Sequence, residues 1–228
     1  CPAGLIEGFY GREWSWEDRH AYAAFLKERG FCFYIYAPKG DRFLRKSWQS
    51  PWPKAQHDAL VCLAAAYKAE GLSFGIGFSP FELYLDDTAE ARAALKRKMD
   101  EINAIGPDIL CILFDDMKGD VPGLAGLQAK LTDEIAALST ASRFIMCPSY
   151  YSFDPILEKV FGAMPENYMQ DLGRDLDPAF DVFWTGPKVC APEFTKAHIE
   201  EVTEIFSRRP FLWDNYPVND GARMSRFL

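Results

Sequence analysis

The chain has 228 residues, 49% of them hydrophobic and 25% charged, with a formal net charge of −8. That balance suits a globular domain with a sizeable core and excludes a disordered or fibrous chain. The acidic surface argues against nucleic acid or an anionic membrane as partner, and no apolar run approaches the roughly 18 residues of a spanning helix.

The predicted elements alternate short apolar runs with amphipathic segments. A first strand covers Gly4 to Tyr10 and ends at Gly11. Helical spacing runs from Glu17 to Glu28, with Tyr22, Phe25 and Leu26 on one face, Ser15 as N-cap and Gly30 as terminator. Cys32 to Ala37 is a second strand, broken by Pro38. An aromatic connection with Trp48 and Trp52 leads to a helix over Ala55–Glu70, and a third strand covers Ser73–Phe78. Helix Thr88–Ile105 precedes the fourth strand, Ile109–Phe114. Gly123–Leu138 is helical, Arg143–Cys147 is the fifth strand and Ile156–Met164 a short helix. Phe180–Trp184, helix Pro192–Ser207 and Phe211–Trp213 complete the series. The Arg92–Lys98 charge run reads as a solvated helix face.

Strict alternation of this kind implies a parallel sheet. Polar loops after every strand favour a (β/α)8 TIM-type barrel over a doubly wound sheet, and no Gly-x-Gly-x-x-Gly follows the first strand. Residues 1–228 read as a single barrel domain. The count is one unit short: a helix and an eighth strand are expected where the sequence stops. Either the chain is a fragment with its last unit missing or truncated, or something else closes the barrel.

Cys1, Cys32, Cys62, Cys111, Cys147 and Cys190 form no Cys-x-x-Cys pair. Several lie inside apolar runs and read as small buried hydrophobes rather than a disulfide framework or zinc site. A reducing, cytoplasmic compartment follows. His20, His57 and His198 lie far apart in polar helical contexts and read as surface residues. No metal site and no cofactor is expected.

Parallel strands carry their chemistry at their C-terminal ends. Taken in order, those ends present Gly8 and Tyr10, Lys39, Ser79, Asp115 and Asp116, Tyr150 and Tyr151, Trp184 and Thr185, then Trp213, Asp214, Asn215 and Asp220. Carboxylates, amides and aromatic faces suit a neutral polyhydroxylated ligand. The apolar run Ile109–Phe114 ends abruptly in Asp115-Asp116. Such a pair can be a turn or an N-cap. It can also supply a general acid beside a permanent anion, because two like charges cannot ionise equally. Carboxylates on one strand end do not straddle a glycosidic bond easily. A division of labour in which one protonates the leaving oxygen and the other orients a substrate nucleophile, such as a 2-acetamido group, fits better.

The blocks Glu7-Gly8-Phe9-Tyr10-Gly11, Tyr36-Ala37-Pro38-Lys39, Leu113-Phe114-Asp115-Asp116, Trp184-Thr185-Gly186-Pro187 and Trp213 to Asp220 together resemble the signature blocks of glycoside hydrolase family 84. That family comprises the O-GlcNAcases and related bacterial β-N-acetylglucosaminidases. The resemblance implies a retaining, substrate-assisted mechanism through an oxazoline, acting on a GlcNAc glycoside or an O-GlcNAc-modified protein. By it, Asp115 would hold the acetamido N–H and Asp116 would be general acid, then base. Gly8, through its backbone, and Lys39 would meet sugar hydroxyls. Tyr151 would line the acetamido pocket or assist the reacting centre, Trp213 would wall that pocket and Asn215 would bind near the acetamido group. Asp220 would take the hydroxyls at C4 and C6. A further asparagine that the family carries after an eighth strand has no counterpart before Leu228. Tyr10, Tyr36 and Trp184 read as packing, Asp214 and Asn219 as loop-shaping residues, and Glu7 as pointing into the barrel toward a buried partner. A barrel that binds N-acetylhexosamine without turnover is the second reading; the presence of both carboxylates weighs against it.

Overall fold

The middle strand is apolar from end to end because both of its faces are covered. In a computed structural model the described residues are 3–86, 88–215, 218 and 220; Cys1, Tyr216, Pro217 and Asn219 lie outside them. Seven strands, β1 (Gly4–Glu7), β2 (Phe33–Tyr36), β3 (Ser73–Phe78), β4 (Ile109–Leu113), β5 (Arg143–Cys147), β6 (Asp181–Trp184) and β7 (Phe211–Leu212), pair in parallel in chain order. Between them run α1 (Trp16–Glu28), α2 (Lys54–Ala69), α3 (Ala89–Ile105), α4 (Leu124–Leu138), the pair α5 (Ile156–Phe161) and α6 (Tyr168–Asp175), and α7 (Lys196–Phe206). No helix among the described residues is long and apolar enough to cross a membrane.

Local sequence explains the boundaries. Ser15 closes a capping box with Asp18 at the start of α1. Thr195 does the same with His198, so α7 starts at Lys196 rather than at Pro192. That exchange leaves His198 half-buried in a cap, and His57 is half-buried against the Glu101 carbonyl. The sequence did not suggest α6. It is eight residues long, but Tyr168, Met169 and Leu172 bury one face of it. The 92–98 run is not wholly solvated either. Lys98 is buried, bonded to Glu101, and its ammonium lies 4.1 Å from the Trp52 ring.

Alternation sorts each strand's side chains between the interior and the helix layer. A Cβ on Gly75 would meet Ile35 and Ile109, and one on Gly77 would meet Ala37 and Leu113. These residues therefore fill the interior, and the two glycines make room for them. Tyr34 points the other way and stacks on Tyr67 of α2. Glu7 also faces the helices, contrary to the inward expectation. Ile6 takes the interior position, so its neighbour meets Arg19 of α1 at 2.7 and 2.8 Å and the Tyr34 hydroxyl.

The sheet curls so that its ends approach each other. Phe211 of β7 packs on Phe33 of β2 and Phe183 of β6, and the Arg143 guanidinium from β5 lies over both Phe33 and Phe211. Among the described residues no ladder joins β7 to β1. A cleft of about 540 Å³ separates them, lined by Gly4, Ile6, Phe33, Phe183, Phe211 and Trp213 among others. The described residues form seven strands of a (β/α) barrel, open between β7 and β1.

Candidate active site

Extending the inward face of the strands past their C-terminal ends reaches the site. Ile6 leads to Gly8, Ala37 to Lys39, Leu113 to Asp115, Ile145 to Cys147, Phe183 to Thr185 and Phe211 to Trp213. All six end points line one pocket, together with Tyr10, Asp116, Tyr151, Val189, Asn215 and Asp220. Asp116 should face the helices by simple alternation. Its backbone adopts φ 60 instead, a left-handed turn uncommon outside glycine, and its carboxylate returns to the pocket.

The charges meet at one point. The Lys39 ammonium donates to Asp115 Oδ2 and lies 3.3 Å from Asp116 Oδ2. The Tyr10 hydroxyl donates to Asp116 Oδ2, and Arg45 Nη2 stands 3.6 Å from the same oxygen. Asp115 Oδ1 is buried and has no protein partner. Burial opposes ionisation of Asp116, but Lys39, the Tyr10 hydroxyl and Arg45 outweigh it and hold the carboxyl below its ordinary range. Burial likewise works against the Lys39 charge, and the two carboxylates reverse it, so the ammonium is held more firmly than in water. The Tyr10 hydroxyl is pushed up to about 12 by burial and by the Asp116 carboxylate. Tyr151 rises by burial and by both aspartates.

Neighbouring elements hold these groups in place. Asp41 accepts bonds from Phe43 N, Tyr36 Oη, Trp52 Nε1 and Gln56 Nε2 at 2.8–3.0 Å, which fixes the loop that carries Lys39. Ser149 Oγ donates to the Phe114 carbonyl and accepts from Gln128, whose amide oxygen takes the Tyr168 hydroxyl. Helix α6 thereby braces the ends of β4 and β5. Trp213 passes close to Gly8, where a Cβ would come within 2.7 Å of its ring. Asn215 donates to the Val189 carbonyl at 3.3 Å, and Asp220 accepts from the Tyr10 amide at 2.8 Å.

Gly8, Lys39, Asp115, Asp116, Tyr151, Trp213, Asn215 and Asp220 thus line one pocket. Tyr36 and Trp184 are buried packing residues. Tyr10 is not: it is 53% exposed, lines the pocket and bonds Asp116, because β1 ends at Glu7 and leaves it on a loop. Tyr150 turns away to the Gly162 carbonyl, Ser79 is buried outside the pocket and Asp214 is exposed. Arg45, Cys147 and Val189 were not singled out. Strand alternation alone could have found Cys147.

The family model for β-N-acetylglucosaminidase matches residues 3–228. The chain belongs to that family. It is 31% identical over 235 residues to protein O-GlcNAcase of Rattus norvegicus and, equally, to that of Mus musculus. The alignment covers 99% of this chain but 25% of either rodent protein. An O-GlcNAc hydrolase mutant of Thermobaculum terrenum superimposes with a TM-score of 0.82 at 33% identity, over 97% of this chain and 49% of that one. The chain therefore spans about a quarter of its rodent relatives and about half of the bacterial one. Members of the family are glycoside hydrolases, and the pocket described above is where a barrel of this kind carries its chemistry.

Proposed function

We propose that this chain carries the catalytic barrel of a retaining β-N-acetylglucosaminidase. It removes β-linked GlcNAc from a glycoside or from an O-GlcNAc-modified protein, with the substrate's own acetamido oxygen as nucleophile. One observation carries the reading: the buried, unpartnered Oδ1 of Asp115 beside a second carboxylate. A desolvated acceptor of this kind calls for a donor from the ligand, and an acetamido N–H is a neutral one. The family match and both rodent relatives support the same substrate class.

In this reading Asp115 holds the acetamido N–H and orients the carbonyl oxygen toward the anomeric carbon. The new C1–O bond forms as the glycosidic bond breaks, and Asp116 gives its proton to the departing oxygen. Water then opens the oxazoline, with Asp116 taking the proton back. Lys39, the Gly8 backbone and Asp220 receive sugar hydroxyls, Trp213 walls the acetamido group, and Tyr151 and Asn215 flank it. A reducing, cytoplasmic setting belongs to the same proposal and is supported by the free, buried thiols of Cys111 and Cys147.

Turnover of an aryl 2-acetamido-2-deoxy-β-glucoside, measured beside the plain aryl β-glucoside, tests the reading. Cleavage of the first alone is expected. Equal cleavage of both would remove the acetamido nucleophile. Binding of GlcNAc with cleavage of neither would return the non-catalytic barrel.

A further inference from the structure

Arg45 follows the short turn Arg42–Leu44, and its side chain is buried. Its Nη2 lies 3.1 Å from the Tyr10 hydroxyl and 3.6 Å from Asp116 Oδ2, and its Nη1 donates to the Lys39 carbonyl at 3.3 Å. Its Nε has no partner. Among the described residues, every polar contact of this side chain goes to a residue of the pocket. A guanidinium buried for the sake of the core would use its donors there.

The direction of the bonds carries the argument. Arginine only donates, so the Tyr10 oxygen accepts from Arg45 and its own proton is left to point at Asp116. A hydroxyl locked as a donor favours the charged carboxylate over the protonated one. The groups facing Asp116 are the Lys39 and Arg45 cations, the hydroxyls of Tyr10 and Tyr151, the Cys147 thiol and the Asp115 carboxylate. Lys39 divides its charge between both aspartates, whereas Arg45 acts on Asp116 directly and through Tyr10.

We infer that Arg45 is a positioning residue of this site: through Tyr10 it orients the Asp116 carboxylate and keeps the proton off it while the pocket is empty. The consequence for turnover rests on the reading of Asp116 as general acid; the consequence for its titration does not.

The experiment follows the Asp116 carboxyl carbon by carbon-13 NMR across pH in the intact protein, with Asp116→Asn assigning the resonance. Arg45→Met is expected to raise the midpoint by about one unit, the low end for loss of an opposite charge at this range. Arg45→Lys, which keeps the charge, is expected to restore most of the difference. Tyr10→Phe moves the midpoint in the same direction and serves where Arg45→Met does not fold. An unchanged midpoint in these variants overturns the inference whether or not the protein turns over. In the kinetic arm the acid works protonated, so the alkaline limb of kcat/KM moves up with the midpoint. The gain is larger for a poor aryl leaving group than for a good one. A uniform loss at every pH and for every leaving group means a merely structural Arg45 and overturns the inference. A shifted midpoint in a protein that cleaves nothing upholds the inference and overturns the proposed function instead.

Discussion

Two ion-pair clusters sit on either side of the first strands, and they are built to opposite rules. Behind β1, Glu7 is fully buried and both its oxygens are taken, one by Arg19 Nη2 and the other by Arg19 Nε and the Tyr34 hydroxyl. In the pocket, Asp115 is also buried beside a cation, yet one of its oxygens has no protein partner. A closed cluster holds structure. A cluster left one bond short leaves an acceptor open, and in the proposed function that is the bond the substrate fills. The difference also shows in the backbone, since the strained φ of 60 belongs to Asp116 and not to any residue around Glu7.

The largest effect that would sharpen this contrast is in the pocket. Asp116→Asn is expected to lower kcat/KM for the aryl N-acetylglucosaminide by about 10²–10⁴-fold, with only a small drop in thermal midpoint at neutral pH. Glu7→Gln should do the reverse. It leaves Arg19 buried with its main partner gone and costs about 3 kcal/mol in urea unfolding. That is the low end for breaking a buried pair, because Glu13 and the rings of Trp16 and Tyr36 remain beside Arg19. Activity per folded molecule should hold. Loss of turnover without loss of stability in Glu7→Gln would erase the distinction between the clusters. Tyr34→Phe removes one bond to Glu7 and is expected to cost about 1 kcal/mol. The smallest effect is in the pH dependence. The depressed Asp116 carboxyl contributes stability that is present above its ordinary value of 3.8 and is lost as pH falls through its folded value. The thermal gap between wild type and Asp116→Asn should therefore close below about that pH, and a gap that persists in acid would mean the pairing is not its source.

Much of this was legible in the sequence because parallel strands buried on both faces write themselves as apolar runs. The polar residues two past the inward register then announce the site. Ser73–Phe78 and Arg143–Cys147 are strands over those very residues, and β4 ends one residue earlier than expected. What escaped depends on distance along the chain or on shape. Arg45 lies in a basic stretch with Arg42 and Lys46, and nothing in spacing tells which of the three turns inward. Tyr10 looked like packing because the first strand was taken to include it. Lys98 has the sequence signature of a solvated face, and only the Trp52 ring from a separate loop gives it a buried place. The inward reading of Glu7 failed by one register step, which is all that separates the two faces of a strand.

Gly8 on one lip and Trp213 with Asn215 on the other line both the pocket and the cleft between β1 and β7. The cleft and the pocket therefore share a wall, and a substitution that repacks Trp213 on its cleft side reaches the pocket as well.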